Sequence, residues 1–249
     1  MKNEQRRLRP GFTLIESLIS LSLFTIITLA CLEFFSHTRV LFNKLKEKFQ
    51  TTESIFFALD RIRFDLHIGG QGLLNPISLG ILEPFDLEND HCLIFIREKI
   101  IQLENDLVSG QTYIQLKNTM DLKKDRILCI FNPQLGEIKK IAEIDSAGIS
   151  LSSQLENSYQ LDTTTVLLIR TISFYVDEKS LILRRKINNS PAQPLLEDVR
   201  DFECFFNQEN KLIYIRIHMN KEEDKFHEII FIPKNSALAA NLQNSLPSS

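Results

Sequence analysis

The sequence predicts an α+β protein in which one long N-terminal α-helix packs on a mainly antiparallel β-sheet domain. Three observations support this fold class: an apolar stretch long enough to cross a membrane, an uninterrupted helical stripe after it, and a series of short β-type segments beyond residue 90. The composition of the 249 residues, 43% hydrophobic and 24% charged, excludes a collagen-like, disulfide-dense or wholly disordered chain.

Residues 1–11 form a short basic leader that ends in Pro10 and Gly11. Four basic residues stand there against one acid, so the leader has a net charge of +3 and is expected to stay in the cytoplasm. The whole chain has 29 basic and 32 acidic residues, and the part after the leader therefore has 25 against 31, a net charge of −6. This acidic balance argues against nucleic acid as a partner, because nonspecific binding needs a basic surface.

Residues 12–35 are predicted to form a single transmembrane helix. Glu16 and Glu33 are the only charged residues among these 24, and residues 17–32 are an uncharged run of 16. A helix of 24 residues spans about 36 Å, which is enough to cross a hydrocarbon core of roughly 30 Å.

Residues 36–68 are predicted to continue this helix as an amphipathic segment that packs on the downstream domain. No glycine or proline occurs between the leader and Gly69, so one helix of roughly 85 Å can run through both segments. Gly69, Gly70 and Gly72 are expected to end it, as glycine does at helix C-termini. Apolar residues recur at spacings of three, four or seven along this segment, namely Leu41, Leu45, Phe49, Phe56, Leu59 and Leu66.

Residues 69–233 are predicted to form the mainly β domain, and residues 234–249 a flexible tail without periodicity. Short segments rich in Ile, Phe, Tyr and Val alternate there with turn-forming residues, which is typical of antiparallel strands. The predicted strands are 92–96, 113–116, 126–131, 139–144, 166–176, 181–186, 202–206, 212–219 and 228–232.

The strongest local motif follows the basic leader and reads Gly11-Phe12-Thr13-Leu14-Ile15-Glu16. A secretory signal is cut after its apolar core and does not tolerate an acid inside it. The motif instead resembles the class III signal of type IV pilins and pseudopilins. The resemblance implies that a prepilin peptidase cuts between Gly11 and Phe12 on the cytoplasmic side, that the new amine of Phe12 is methylated, and that the apolar helix is retained.

Glu16 is the candidate assembly residue. A carboxylate inside a bilayer costs on the order of 2.5–3.5 kcal/mol, so it needs a partner, and Glu16 lies one helical turn from Phe12. The resemblance implies that this acid pairs with the N-terminal amine of a neighbouring subunit. An acid favoured only by the dipole at a helix N-terminus is the alternative.

Two further regions are similar to PilW-type minor pilins. The first is residues 58–72 at the end of the predicted helix, where an Asp-Leu dipeptide precedes His67 in the basic position and Ile68-Gly69 at the turn. The second comprises residues 181–185 and 193–202. The chain lacks the helix-breaking proline and the terminal cysteine pair of major pilins, which favours a minor, priming or tip subunit. The resemblance implies that its partners are other minor pilins, the major pilin and an inner-membrane assembly platform. It also implies a single-pass inner-membrane protein with a periplasmic C-terminal domain that enters a pilus or pseudopilus.

Other functions remain as alternatives. A PulJ/GspJ-type pseudopilin of type II secretion has the same signal and topology, and a membrane-anchored extracellular binding protein or adhesin is a candidate from another class. Thr28-Leu29-Ala30-Cys31 faintly resembles a lipoprotein cleavage box, whose use would remove 30 residues. No G-x-S-x-G, P-loop or G-x-G-x-x-G motif occurs, so neither an enzyme nor a cofactor is predicted.

The four cysteines contain no C-x-x-C pair, which argues against a zinc or thioredoxin-like site. Cys31 lies in the membrane segment. Two alternatives stay open for Cys92, Cys129 and Cys204: one disulfide with an odd thiol, or three buried free thiols.

No metal site is predicted from the histidines or the acidic residues. The five histidines lack metal-ligand spacing, and His218 and His227 are expected to form a surface pair across a hairpin. Asp86, Glu88 and Asp90 alternate like the start of a calcium loop but lack its glycine and closing acid, so a solvated acidic loop is expected.

Overall fold

The computed structural model describes residues 13–88, 90–207, 209–220 and 226–232. The predicted leader 1–11 with Gly11, the cleavage partner Phe12 and the predicted tail 234–249 lie outside these residues. The chain divides into two compact units, Met1–Ser54 and Ile55–Ser249.

One helix, α1 (Leu14–Ile68), supplies all of the described secondary structure of the first unit and the first element of the second. It has no break between its first and last residue, which agrees with the absence of glycine and proline from this stretch. Every residue described in the first unit is exposed.

The buried part of α1 is shorter than the sequence predicts. The buried side chains begin at Ile55, so Leu41, Leu45, Phe49 and Phe56 of the predicted stripe are exposed while Leu59 and Leu66 are buried. The buried positions from Ile55 to Leu66 extend about 17 Å along the helix, which is the width of three to four paired strands. Three helical turns are therefore enough to cover one face of a sheet of that width.

The predicted fold class is confirmed, because the second unit is built mainly of antiparallel strands. Within the described residues a nine-stranded sheet contains β1 (Phe85–Glu88), β2 (His91–Ile101), β3 (Tyr113–Gln115), β4 (Ile127–Phe131), β5 (Gly136–Ile144), β6 (Gly148–Leu151), β7 (Thr165–Asp177), β8 (Ile182–Ile187) and β9 (Gln193–Leu196). A three-stranded sheet contains β10 (Val199–Asn207), β11 (Leu212–Met219) and β12 (Phe226–Phe231). A short helix α2 (Leu74–Ser78) and a 3₁₀ turn (Leu161–Thr163) complete the described elements.

All nine strands that the sequence predicts are present, and β11 has the predicted bounds. The sequence misses β1, β6 and β9. Half of the residues of β1 are acidic, which is unusual in a strand. Gly148 at the start of β6 is typical of a turn, and Pro194 in β9 argues against a strand there. Each of these three short strands depends on its pairing with a longer neighbour rather than on its own residues.

The long strand β7 organises the large sheet. It pairs with β2 along one edge, and its other edge pairs with β4 near its start and with β8 near its end. Its side chains alternate between faces, so Val166 and Leu168 enter one apolar core while Leu167 and Ile169 enter another beneath α2. Farther along β7, Ile172 and Phe174 join the end of α1 and the three-stranded sheet in a third core.

The glycines end α1 as predicted. The backbone of Gly70 and Gly72 has positive φ of 72° and 74°, a conformation that glycine adopts without cost. The Gly70 amide then donates to the Phe95 carbonyl of β2 at 2.8 Å, beyond the point where β1 ends its pairing with β2. A Cβ added at Gly69 would overlap the Phe85 ring, so this position needs glycine for close packing.

A buried ion pair joins α1 to the large sheet. Asp65 is fully buried, and its two carboxylate oxygens accept hydrogen bonds from Arg185 Nε at 2.5 Å and Nη2 at 3.1 Å. The Arg61 Nε lies 3.4 Å from the same carboxylate, but the Arg61 side chain is 44% exposed. A bidentate pair fixes both distance and direction, so this contact sets how the helix end sits on β8.

We expect Asp65→Ala or Arg185→Ala to lower the free energy of unfolding by about 3–5 kcal/mol, because either change breaks the buried bidentate pair. Asp65→Ala leaves Arg185 buried without a carboxylate, and Arg185→Ala leaves the buried Asp65 with only the partly exposed Arg61. The double variant Asp65→Leu/Arg185→Met, which removes both charges and keeps apolar volume, should lose less than either single variant. Urea unfolding followed by circular dichroism measures these differences. Arg61→Ala is the matched control and should cost less than about 1 kcal/mol, as exposed ion pairs do. Equal losses in Arg61→Ala and Arg185→Ala would contradict a special role for the buried pair.

Candidate functional site

Three reciprocal hydrogen bonds between Thr13 and Glu16 cap the start of α1. The backbone amide and the hydroxyl of Thr13 donate to Glu16 Oε2 at 3.1 and 3.0 Å. The Glu16 amide donates in return to the Thr13 hydroxyl oxygen at 3.3 Å. This arrangement is a capping box, in which a residue before the helix and one in its first turn satisfy each other's backbone amides.

Thr13 is the residue that the sequence analysis missed. The signal for it is the spacing Thr13-Leu14-Ile15-Glu16, which matches the Ser/Thr-x-x-Glu pattern of a capping box. Glu16 therefore has a local role at the helix N-terminus, where its charge also complements the helix dipole. Its predicted partner, the amine formed at Phe12, belongs to a residue outside the described part of the chain.

Three hydroxyl groups inside the apolar segment, those of Ser22, Thr25 and Thr28, donate to carbonyl groups of the helix itself. Ser22 Oγ donates to the Ile19 carbonyl at 2.8 Å, and Thr25 Oγ1 donates to the Leu21 carbonyl at the same distance. The Thr28 hydroxyl repeats this geometry one turn later. Polar groups that bond to their own helix need no water, so these hydroxyls are compatible with a lipid environment.

The apolar segment presents its large side chains outward on all sides. Leu18, Ile19, Leu21, Phe24 and Ile26 are each more than half exposed. Among the described residues, α1 is the one helix long and apolar enough to cross a membrane. An apolar helix with no buried face fits lipid or the helices of other subunits as its surroundings.

The two later regions of resemblance meet in the second unit. Asp65 comes from the predicted helix end and Arg185 from the segment 181–185, and they form the buried ion pair. The two residues are about 120 positions apart in the sequence, where no local pattern reports a contact. The Gln193–Leu196 strand β9 pairs with β8 beside Arg185, so the segment 193–202 joins the same region.

The histidine and acidic predictions need correction. The register places His218 opposite Phe226 and His227 opposite Ile217, so the two imidazoles lie on opposite faces of the sheet and form no pair. Asp86 and Glu88 belong to β1 rather than to a loop, since they lie opposite Leu93 and His91 of β2. Over the described ranges there is no group of three or more His, Cys, Asp or Glu side chains that could hold a metal ion.

Residues 6–32 match a family model described as the prokaryotic N-terminal methylation motif. The match supports a type IV pilin- or pseudopilin-type protein, a structural rather than catalytic class. The motif implies processing by a prepilin peptidase and assembly with other pilins. Together with the membrane-compatible helix it fits single-pass anchoring in the inner membrane. No curated protein matches the chain significantly.

Solved structures with local similarity include three phage tailspikes. The first is gp61 of Pseudomonas phage phi297, at 15% identity over 30% of this chain and 14% of that chain, with a TM-score of 0.27. The second is gp49 of Pseudomonas phage LKA1, at 18% identity over 28% of this chain and 14% of that chain, with a TM-score of 0.26. The third is Gp54 of Acinetobacter baumannii bacteriophage AP22 in complex with A. baumannii capsular saccharide, at 14% identity over 31% of this chain and 15% of that chain, with a TM-score of 0.27. The aligned part of this chain spans about a seventh of each tailspike. Similarity this weak indicates neither a shared fold nor a shared function.

Proposed function

We propose that this protein is a PilW-like minor type IV pilin that helps to prime or cap a pilus. It is inserted in the inner membrane with its C-terminal domain in the periplasm, cut between Gly11 and Phe12, and then moved into the filament. The observation that carries the proposal is the methylation-motif match over residues 6–32, which overlaps the start of an exposed apolar helix. The proposed role of the protein is to build a filament, so no residue is assigned a catalytic role.

The chemistry of Glu16 supports this function. Thr13 supplies two neutral hydrogen bonds to the carboxylate, but these leave its negative charge in place. Transfer of that charge into an apolar environment costs on the order of 2.5–3.5 kcal/mol unless a cation accompanies it. Cleavage creates such a cation at Phe12, one turn away, and a neighbouring subunit brings a second one. An apolar bundle of helices therefore favours the register in which each Glu16 meets an amine.

The second unit supports the PilW assignment within the class. The two regions that resemble PilW-type minor pilins are distant in the sequence, yet Asp65 of one and Arg185 of the other form a buried bidentate pair. The Asp65–Arg185 contact is therefore a physical reason why these two sequence regions would resemble the same family together.

We expect Gly11→Val to leave the leader attached, because the position before the cut accepts no bulky side chain in this class of signal. The mass of the mature wild-type chain should correspond to loss of 11 residues and gain of one methyl group. Pro10→Ala is the matched control and should be processed. Loss of 30 residues, with Cys31 at the new N-terminus, would contradict the proposal and favour the lipoprotein alternative.

Glu16→Leu should be processed normally but enter filaments on the order of tenfold less, because its helix no longer pairs with a neighbouring amine. Thr13→Val keeps the acid and removes the hydroxyl of the capping box, so it separates the two roles of Glu16. Immunoblots of sheared filaments, normalised to membrane-bound protein, measure incorporation. If Thr13→Val and Glu16→Leu fail equally, Glu16 acts only as a helix cap.

A photo-crosslinking amino acid at Phe24, whose side chain is 67% exposed on the apolar segment, identifies the neighbours of the helix. We expect adducts with the major pilin and other minor pilins, and their loss in the Glu16→Leu background. Adducts with pseudopilins of a secretion system would assign the protein to the PulJ/GspJ type. A chain that is processed but forms no adducts, and whose domain binds an external ligand, would be a membrane-anchored binding protein or adhesin.

A further inference from the structure

A groove of about 660 Å³ lies on the second unit, where three segments of the chain meet. The segments are the loop 106–108 after β2, the turn 132–135 between β4 and β5, and residues 158–163 between β6 and β7. A second groove of about 290 Å³ adjoins the first and shares three residues with it, Asn132, Pro133 and Thr163. The volume of the larger groove is in the range of sites that bind small organic ligands.

Hydrogen bonds between the segments hold the walls of the groove in place. Leu107 and Tyr159 exchange two amide–carbonyl bonds of 2.8 Å, which join the first segment to the third. The Asp106 carboxylate accepts a further bond from the Leu161 amide at 2.6 Å. Tyr159 is buried, and its hydroxyl donates to Glu137 of β5 at 2.9 Å. The groove is therefore preformed, so a ligand needs to order little of the chain when it binds.

Three side-chain amides of the groove have hydrogen-bonding groups left for a ligand. Asn132 Oδ1 accepts bonds from the backbone amides of Gln134 and Leu135, both at 2.9 Å, which leaves the Asn132 NH₂ group as a donor. Gln134 and Gln160 are exposed, and their side chains form no hydrogen bond with the described residues. A side-chain amide both donates and accepts, as a hydroxyl group does. These side chains therefore suit a ligand that carries many hydroxyl groups.

The charge of the groove favours a neutral ligand. Among the described lining residues, Asp106 is the one that is charged at neutral pH, and no Lys, Arg or His accompanies it. A phosphate or sulfate group would meet this carboxylate without a cation to bind it. The rings of Tyr159 and Phe131 are buried, so neither is open for a flat base to stack on. Val108, which is 60% exposed, and the ring of Pro133 provide apolar surface for the CH groups of a sugar.

We propose that this groove binds a neutral oligosaccharide, whose hydroxyl groups bond to the side-chain amides of Asn132, Gln134 and Gln160. The second carboxylate oxygen of Asp106 accepts a further hydroxyl. This inference goes beyond the proposed function and does not rest on it, because the groove belongs to the β domain and the pilin motif to the start of the chain. The same chemistry is offered by N-acetylated glycans, such as those of a cell wall, and by glycans without acetamido groups, so the test separates these two sources.

The test uses the full-length chain purified in lauryldimethylamine oxide, a detergent without a sugar headgroup. Chitohexaose represents the N-acetylated glycans, and cellohexaose and maltohexaose represent those without acetamido groups. We expect saturation-transfer NMR to detect binding of at least one of the three, and calorimetric titration then gives its Kd. Gln134→Ala/Gln160→Ala should raise this Kd about tenfold, because two hydrogen bonds are lost.

Gln154→Ala is the matched control and should leave the Kd unchanged. Gln154 is exposed in the same connection between β6 and β7, but it does not line the groove. Thr163→Phe fills the part that the two grooves share and should abolish binding. Circular dichroism checks that this variant is folded, and the double variant decides the outcome if it is not.

Binding of chitohexaose alone would identify the N-acetylated source, and binding of either of the other two would identify glycans without acetamido groups. Failure of all three to bind would overturn the proposal. Binding that is unchanged in both the double variant and Thr163→Phe would also overturn it, because the ligand would then occupy another surface. Tighter binding of a sulfated hexasaccharide than of its neutral counterpart would overturn the neutral class of ligand.

Discussion

The fold of the second unit depends on the pairing of one buried charge, the carboxylate of Asp65, with Arg185. Asp65 occupies a helix face that is otherwise apolar, between the buried side chains of Ile62 and Leu66. An unpaired carboxylate there would cost several kcal/mol, so the helix has one acceptable rotation and depth, the one at which Asp65 meets Arg185. Apolar packing alone would tolerate small rotations, because hydrophobic contacts are not directional. The ion pair fixes the orientation of the helix end, and the neighbouring apolar residues provide the buried apolar area.

Arg185 is held in turn by the large sheet. It lies on β8 opposite Phe174 of β7, the strand that also pairs with β2 and β4. The alternation of β7 divides its side chains among three apolar cores, so one strand positions the helix end, α2 and the three-stranded sheet. A second buried polar cluster stabilises the far part of the sheet. Burial opposes ionisation of Glu137 there, but hydrogen bonds from the Glu156 amide, Lys139 and Tyr159 outweigh it and lower the pKa of that carboxyl.

The first unit follows the opposite rule, because every one of its described residues is exposed. The hydroxyls of Ser22, Thr25 and Thr28 donate to carbonyls of the helix, and the large apolar side chains face outward. At Glu16, Thr13 donates two neutral hydrogen bonds to the carboxylate, and these leave its negative charge in place. A surface of this kind becomes stable only in lipid or among similar helices, and in either setting the charge of Glu16 favours a cation nearby.

The sequence by itself determined the elements whose causes are local. The apolar run, the lack of helix breakers, the three glycines and the alternating strands predict α1, its end and nine strands, because periodicity and backbone preference act over a few residues. The motif around Gly11 and Glu16 is likewise visible in the sequence, because all of its residues are close together in the chain. Only the tertiary structure decided where the buried part of α1 begins, which faces His218 and His227 take, and that Asp65 meets Arg185. Those outcomes depend on contacts between residues far apart in the chain, where strand register and sheet packing, rather than any nearby residue, fix what each side chain touches.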